Sequence, residues 1–208
     1  MKKNLILLVV MLFAASCLLG CSAVSPVGSW SGVVSASTSE ATELLQAIDA
    51  YDSELAAADL TSLQYVKTVT FTSEKTYRFG YDIAATKSYI RSFFDQYFND
   101  LYQARSTLNA DYGMAFDDMS KDEFFLFYAD LYSCTSYEEL LDTLTENAYY
   151  WDEMEIEGIE TGTYTISGKK IMCTITGETI AESLGFSISG DQLTLEYVNG
   201  TEVYTRVN

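Results

Sequence analysis

The C-terminal stretch constrains the fold most, because it is a run of short alternating segments separated by turn residues. From Thr161 the pattern is β to the end: Thr163 to Ser167, Lys169 to Thr176, Thr179 to Ser189, Gln192 to Val198 and Thr201 to Val207. Gly168, Gly177-Glu178, Gly190-Asp191 and Asn199-Gly200 divide them. The last pair is the strongest short hairpin signal in the chain. Strands at roughly ten-residue spacing with such turns point to an antiparallel sandwich or barrel.

Three more strands precede this run. Trp30 to Ala36 reads as the first, Tyr65 to Thr72 and Thr76 to Asp82 as a hairpin joined by Ser73-Glu74-Lys75. The total is eight, enough to close an up-and-down barrel. Two helical stretches interrupt the strands. Ser37 with Glu40 forms a capping-box pattern opening a helix over about 38–58, with Leu44, Leu45, Ile48, Tyr51 and Leu55 as its apolar stripe. Residues of about 84–152 read as three helices. Ile90, Phe94, Tyr97, Leu101, Ala104 and Leu108 form one seam, Ser120 with Glu123 caps the next helix, and Thr135 with Glu138 caps the last. A second aromatic stripe, Tyr89, Phe93, Phe98 and Tyr102, implies that the first of these is covered on two sides. The expectation is an α+β fold: an eight-stranded antiparallel barrel with helical insertions at 37–64 and 83–155.

Several motifs resemble those of lipocalins. Gly28-Ser29-Trp30 looks like their Gly-x-Trp start, and Tyr204-Thr205-Arg206 like the closing arginine that packs over that tryptophan. Phe71 to Phe79, Gly162-Thr163-Tyr164-Thr165-Ile166 and Ile188 to Leu195 resemble strands and hairpins of small bacterial lipocalin-like lipoproteins. The resemblance covers about 28–36, 65–82 and 160–208. It implies one lipocalin-like domain over 28–208, closed by Trp30 and Arg206, and binding rather than catalysis.

The N-terminus has the three-part layout of a secretory signal peptide: Lys2-Lys3, an apolar run over Leu5 to Leu12, and small residues at Ala14, Ala15 and Ser16. Leu18-Leu19-Gly20-Cys21 resembles the lipobox of bacterial lipoproteins. The resemblance implies a signal peptide over 1–21, cleavage before Cys21, acyl chains on that cysteine and a place on the extracytoplasmic side of the cell envelope. Ser22 is not a retention aspartate, so the outer membrane is the expected destination where the host has two membranes. Residues 22–27 form a short tether, which keeps the folded body close to the bilayer.

Charge and composition exclude several functions. The chain has 12 Lys+Arg against 30 Asp+Glu, and losing Lys2 and Lys3 moves its net charge from −18 to −20. Such acidity argues against binding nucleic acid, and against electrostatic docking on anionic lipid, so attachment is expected through the acyl chains. Histidine is absent, which removes Ser-His-Asp and Cys-His catalysis and the usual zinc ligand. Only Cys134 and Cys173 remain in the body, either bridged or free, and Cys173 reads as a small buried hydrophobe. Neither a catalytic residue, a metal site nor a cofactor is expected. Acidic clusters at Asp117-Asp118, Asp122-Glu123 and Asp152 to Glu160 are where helix N-termini attract such residues.

The candidate interior residues are Trp30, Phe71, Tyr77, Phe79, Tyr164, Phe186, Leu195 and Tyr197. An eight-stranded barrel either holds one small ligand or is filled by its own side chains. Two functions therefore stand: a lipid-anchored, non-catalytic envelope lipoprotein binding a small apolar ligand, or a filled barrel whose helical insertion contacts an envelope protein.

Overall fold

The computed structural model describes residues 25–48, 57–112, 116–148, 151 and 158–207. The expected signal peptide, Cys21, part of the expected tether, the second half of the first expected helix and most of the acidic run after Asp152 lie outside these residues.

Eight antiparallel strands close a barrel in sequence order: β1 Gly28–Ser35, β2 Gln64–Phe71, β3 Thr76–Tyr81, β4 Glu160–Ser167, β5 Lys170–Ile175, β6 Ala181–Ser189, β7 Gln192–Tyr197 and β8 Gly200–Val207. Each strand pairs with the next, and β8 returns to β1 through Ser29–Val207, Trp30–Arg206 and Ser31–Thr205. The fold is the α+β, eight-stranded lipocalin-like barrel with helical insertions that the strand pattern predicts. The termini of the barrel and the turns after β2, β4 and β6 lie at one end, and both helical insertions leave from the other.

Turn chemistry explains two of the corners. Gly168 and Gly190 hold them with φ of 62° and 59°, where a side chain would strain the backbone. The Asn199-Gly200 corner differs from expectation. Tyr197 pairs with Gly200, so Val198 and Asn199 form the turn and Gly200 opens β8.

Among the described residues there are five helices: α1 Thr38–Ala47, α2 Ile83–Gln103, α3 Arg105–Tyr112, α4 Lys121–Leu131 and α5 Tyr137–Asn147. The capping boxes at Ser37–Glu40 and Ser120–Glu123 are both formed. The third cap is shifted by one residue. Ser136, not Thr135, accepts from the Glu139 backbone N–H, while the Glu139 carboxylate reaches back to Thr135. The long seam read as one helix is divided at Ala104 into α2 and α3. There the Arg105 guanidinium donates to Tyr102 O at 2.9 Å, the carbonyl that a continuous helix would pair with Ser106 N–H.

Two hydrophobic cores result. Inside the barrel, Trp30, Val69, Phe71, Tyr77, Tyr164, Ile171, Leu193, Leu195 and Tyr204 are almost fully buried. The second core joins the helices and takes in Leu63 and Tyr65 from the β2 end, with Val34 and Tyr81 packed against it. Both stripes of α2 enter it, since Ile90, Phe94, Phe93 and Phe98 are all buried; Tyr89 alone of the second stripe is exposed. A latch fixes α2 to the barrel: Val66 N–H donates to Thr86 Oγ1 at 3.0 Å, and Asp82 N–H donates to Val66 O at 2.8 Å. Thr86 is fully buried, so losing this bond leaves a polar group stranded.

Candidate functional site: the helix-side mouth of the barrel

Inward-facing side chains change character along the barrel axis. At the closed end Trp30 is fully buried, its indole N–H donates to Pro26 O at 2.8 Å, and the Arg206 guanidinium lies over the ring at 4.1 Å. Arg206 also donates to Val27 O at 3.2 Å. Gly28 makes this possible: its φ is +141°, and a Cβ there would lie 2.5 Å from the Arg206 Nη1. The Gly-x-Trp and arginine motifs thus meet in space as the resemblance implies.

Above that plug the aromatic residues pack edge to face. Phe71 meets Tyr164 at 5.0 Å between centroids, and Tyr77 meets Phe79 at 5.3 Å. Tyr164 donates its hydroxyl to Thr72 O at 2.8 Å. Of the eight candidate interior residues, among which a ligand is expected to sit, Trp30, Phe71, Tyr77, Tyr164, Phe186 and Leu195 fill the core. Only Phe79 and Tyr197 reach open space.

That space is a cavity of about 190 Å³ at the end nearest the helices, lined by Lys67, Phe79, Tyr81, Glu160, Cys173, Glu182, Leu184, Tyr197 and Tyr204 among others. Sequence reasoning missed its polar wall. Lys67 pairs with Glu202 at 2.7 Å, and Tyr204 donates to the other oxygen of that carboxylate. Tyr77 donates to Glu160 at 2.7 Å. Glu160, Glu182 and Glu202 share the inward parity of Tyr164, Phe186 and Tyr204 on their strands, which is the signal that could have found them.

The electrostatics follow from this arrangement. Burial works to raise the Glu202 carboxyl, but hydrogen bonds from Lys67, Tyr204 and Tyr197 outweigh it and hold the group below the usual carboxylate range. Burial, then Glu160, pushes the Tyr77 phenol well above its ordinary value. Burial does the same to Tyr197 and Tyr204, with Glu202 adding to it. Burial with the nearby Glu160 and Glu182 charges pushes the Cys173 thiol up to about 12. It is neutral at physiological pH and is no nucleophile.

Cys134 and Cys173 are both free thiols and sit in different cores. Among the described residues no group of three or more acidic or thiol side chains could hold a metal ion, and no helix is long and apolar enough to cross a membrane. No protein-family model, curated protein or solved structure matches the chain.

Proposed function

We propose that this chain is a lipid-anchored, non-catalytic envelope lipoprotein of lipocalin-like type that binds a small, amine-bearing ligand in the mouth of its barrel. The observation that carries the reading is the mouth itself, where a cavity of about 190 Å³ stays open among aromatic rings and carboxylates while the rest of the axis is plugged. Pockets for larger ligands span roughly 300–1,000 Å³ and are mostly apolar. This one is smaller and polar. Glu160 and Glu182 offer charge, and Phe79, Tyr81 and Tyr197 offer ring faces that attract a cation. The anchor rests on the lipobox at Cys21, and the absence of histidine together with a neutral Cys173 supports a binding role over catalysis.

Native mass spectrometry of the full chain released from membranes, followed by calorimetric titration with small alkylamines, tests the reading. Binding that weakens at least tenfold in Glu160→Gln with Glu182→Gln supports it. A second reading, a filled scaffold whose helical layer contacts another envelope protein, draws support from the small size of the cavity. It gains ground if no amine or co-purified small molecule binds.

A further inference from the structure

The net charge of the chain conceals a segregation along the barrel axis. The closed end carries the turns after β2, β4 and β6 together with the start of β1 and the end of β8. Four cations gather there, Lys75, Lys169, Lys170 and Arg206, against two carboxylates, Glu74 and Asp191. In a chain with 30 acidic residues, that end alone is positive. The turns are neighbours because β3 pairs with β4: Tyr164 N–H donates to Lys75 O at 2.8 Å, and the Lys75 ammonium stands 5.2 Å from the Tyr164 ring. Lys75, Lys169 and Lys170 are all exposed.

Several cations near the helices are ion-paired, although Arg105 and Lys121 there lie over aromatic rings instead. Lys67 pairs with Glu202, Lys87 with Glu146, and Arg91 with Glu138 and Asp142. Among the described residues Lys75, Lys169 and Lys170 enter no ion pair, and Arg206 has only a long contact with Asp191 at 3.8 Å. The same end receives the N-terminal segment. Six residues separate Cys21 from Gly28, and the seven Cα–Cα steps between them reach at most about 25 Å.

We infer that this closed end is a basic pole that faces the bilayer, with Lys75, Lys169 and Lys170 resting on anionic lipid headgroups and the helical layer directed away. The inference rests on the lipid-anchored reading above. It reverses the expectation, drawn from net charge alone, that anionic lipid repels the protein. An eight-residue strand tilted in a barrel spans roughly 20 Å along the axis. The acidic helical layer therefore stands more than two Debye lengths from the headgroups, at about 8 Å each in physiological salt, and its repulsion is screened. The lysines lie within one such length, and each one near an anionic surface contributes about a fivefold gain in occupancy.

The full chain, extracted from membranes, is reconstituted into vesicles of phosphatidylcholine alone or with phosphatidylglycerol added. A membrane-impermeant amine reagent then labels the lysines, and peptide mass spectrometry reads each site. The expected result is roughly fivefold slower labelling of Lys75, Lys169 and Lys170 when phosphatidylglycerol is present, relieved by high salt, with Lys87 and Lys121 unchanged. Lys75→Glu, an exposed turn substitution, lessens the protection of Lys169 and Lys170. Equal labelling in the two vesicles overturns the inference. So does equal protection by soluble polyphosphate in detergent, which assigns the pole to a free polyanion. Intact mass of the same preparation decides the anchor separately: no acyl mass on Cys21 sinks the lipoprotein reading, while labelling on vesicle-bound chain still decides the pole.

Discussion

Arg206 lies over the ring of Trp30 at 4.1 Å, so a cation from the last strand covers the indole of the first. The seam between these strands is short, three residue pairs against eight between β1 and β2. Closure therefore leans on side chains as well as on the ladder. Trp30→Ala is expected to destabilise the protein by about 3–5 kcal/mol, as loss of a buried aromatic ring does. Arg206→Ala, at a half-buried position, is expected to cost about 1 kcal/mol, and the double variant to show a coupling of about 0.5–1 kcal/mol. Urea denaturation followed by circular dichroism measures all three. Strict additivity would mean that the stack contributes nothing.

Gly162 sits where β4 and β5 approach each other closely. A Cβ at this position would lie 2.0 Å from Thr174 O and 2.8 Å from the Tyr77 ring. Gly162→Ala is expected to cost about 3 kcal/mol or more, because backbone must move. Gly168→Ala meets nothing within 4 Å and suffers only its φ of +62°, about 1–2 kcal/mol. Thermal melts of the two variants should rank in that order, and the reverse order would refute the close approach.

Stability should form a plateau between about pH 5 and pH 9. On the acid side, the Glu202 carboxyl is held below its ordinary 4.5, so its contribution is present above that value and is lost as pH falls through the folded one. On the alkaline side, Cys173 is raised from 9.0 to about 12, so its contribution is complete below 9.0 and lost as pH rises through about 12. Tyr77, Tyr197 and Tyr204 shift in the same direction from 10.0 and steepen that limb. Urea midpoints across a pH series trace both limbs. Glu202→Gln should flatten the acid one; an unchanged acid limb would remove Glu202 from the account.

The two thiols should react at different rates. Cys134 is half-buried and rests against Tyr132 O and Thr143 Oγ1 at 3.6 Å, whereas Cys173 is buried in the barrel core. An aromatic disulfide reagent at pH 8 is expected to modify Cys134 first and Cys173 only as fast as the barrel opens. Reaction of Cys173 in the native protein at the rate of the denatured chain would contradict its enclosure.

Much of this architecture is legible in the sequence, because strands and corners are local signals. Gly168 and Gly190 carry the left-handed turns that their positions announce, and Ser37 and Ser120 carry the caps. The Asn199-Gly200 pair marks the correct hairpin but not its centre, since the register of Tyr197 with Gly200 is set by strand pairing on both sides. Thr135 and Ser136 are equally good caps on paper; the helix uses Ser136, and Thr135 instead donates to the Glu139 carboxylate. The break at Ala104 has no glycine or proline to betray it, because the apolar period runs straight through to Leu108.

The polar mouth was hidden for a different reason. Glu160, Glu182 and Glu202 alternate in phase with Tyr164, Phe186 and Tyr204, yet a carboxylate in a strand is ordinarily assigned to the solvent face. They lie near the strand starts at the end where the barrel opens, and Glu160 and Glu182 line its cavity, so inward parity and access to water coexist. Net charge concealed the basic pole in the same way, since a sum carries no position. Registers turn both patterns into geometry.

The β1–β8 seam also sets an order of events during synthesis. Its two partners are the first and last strands of the body, separated by the full length of the domain. Contacts so distant along the chain form late, while the helices and nearest-neighbour hairpins can assemble as soon as they emerge. A polypeptide still emerging during synthesis therefore has no C-terminal stave with which to shut the cylinder, and remains pliable until its last strand is free.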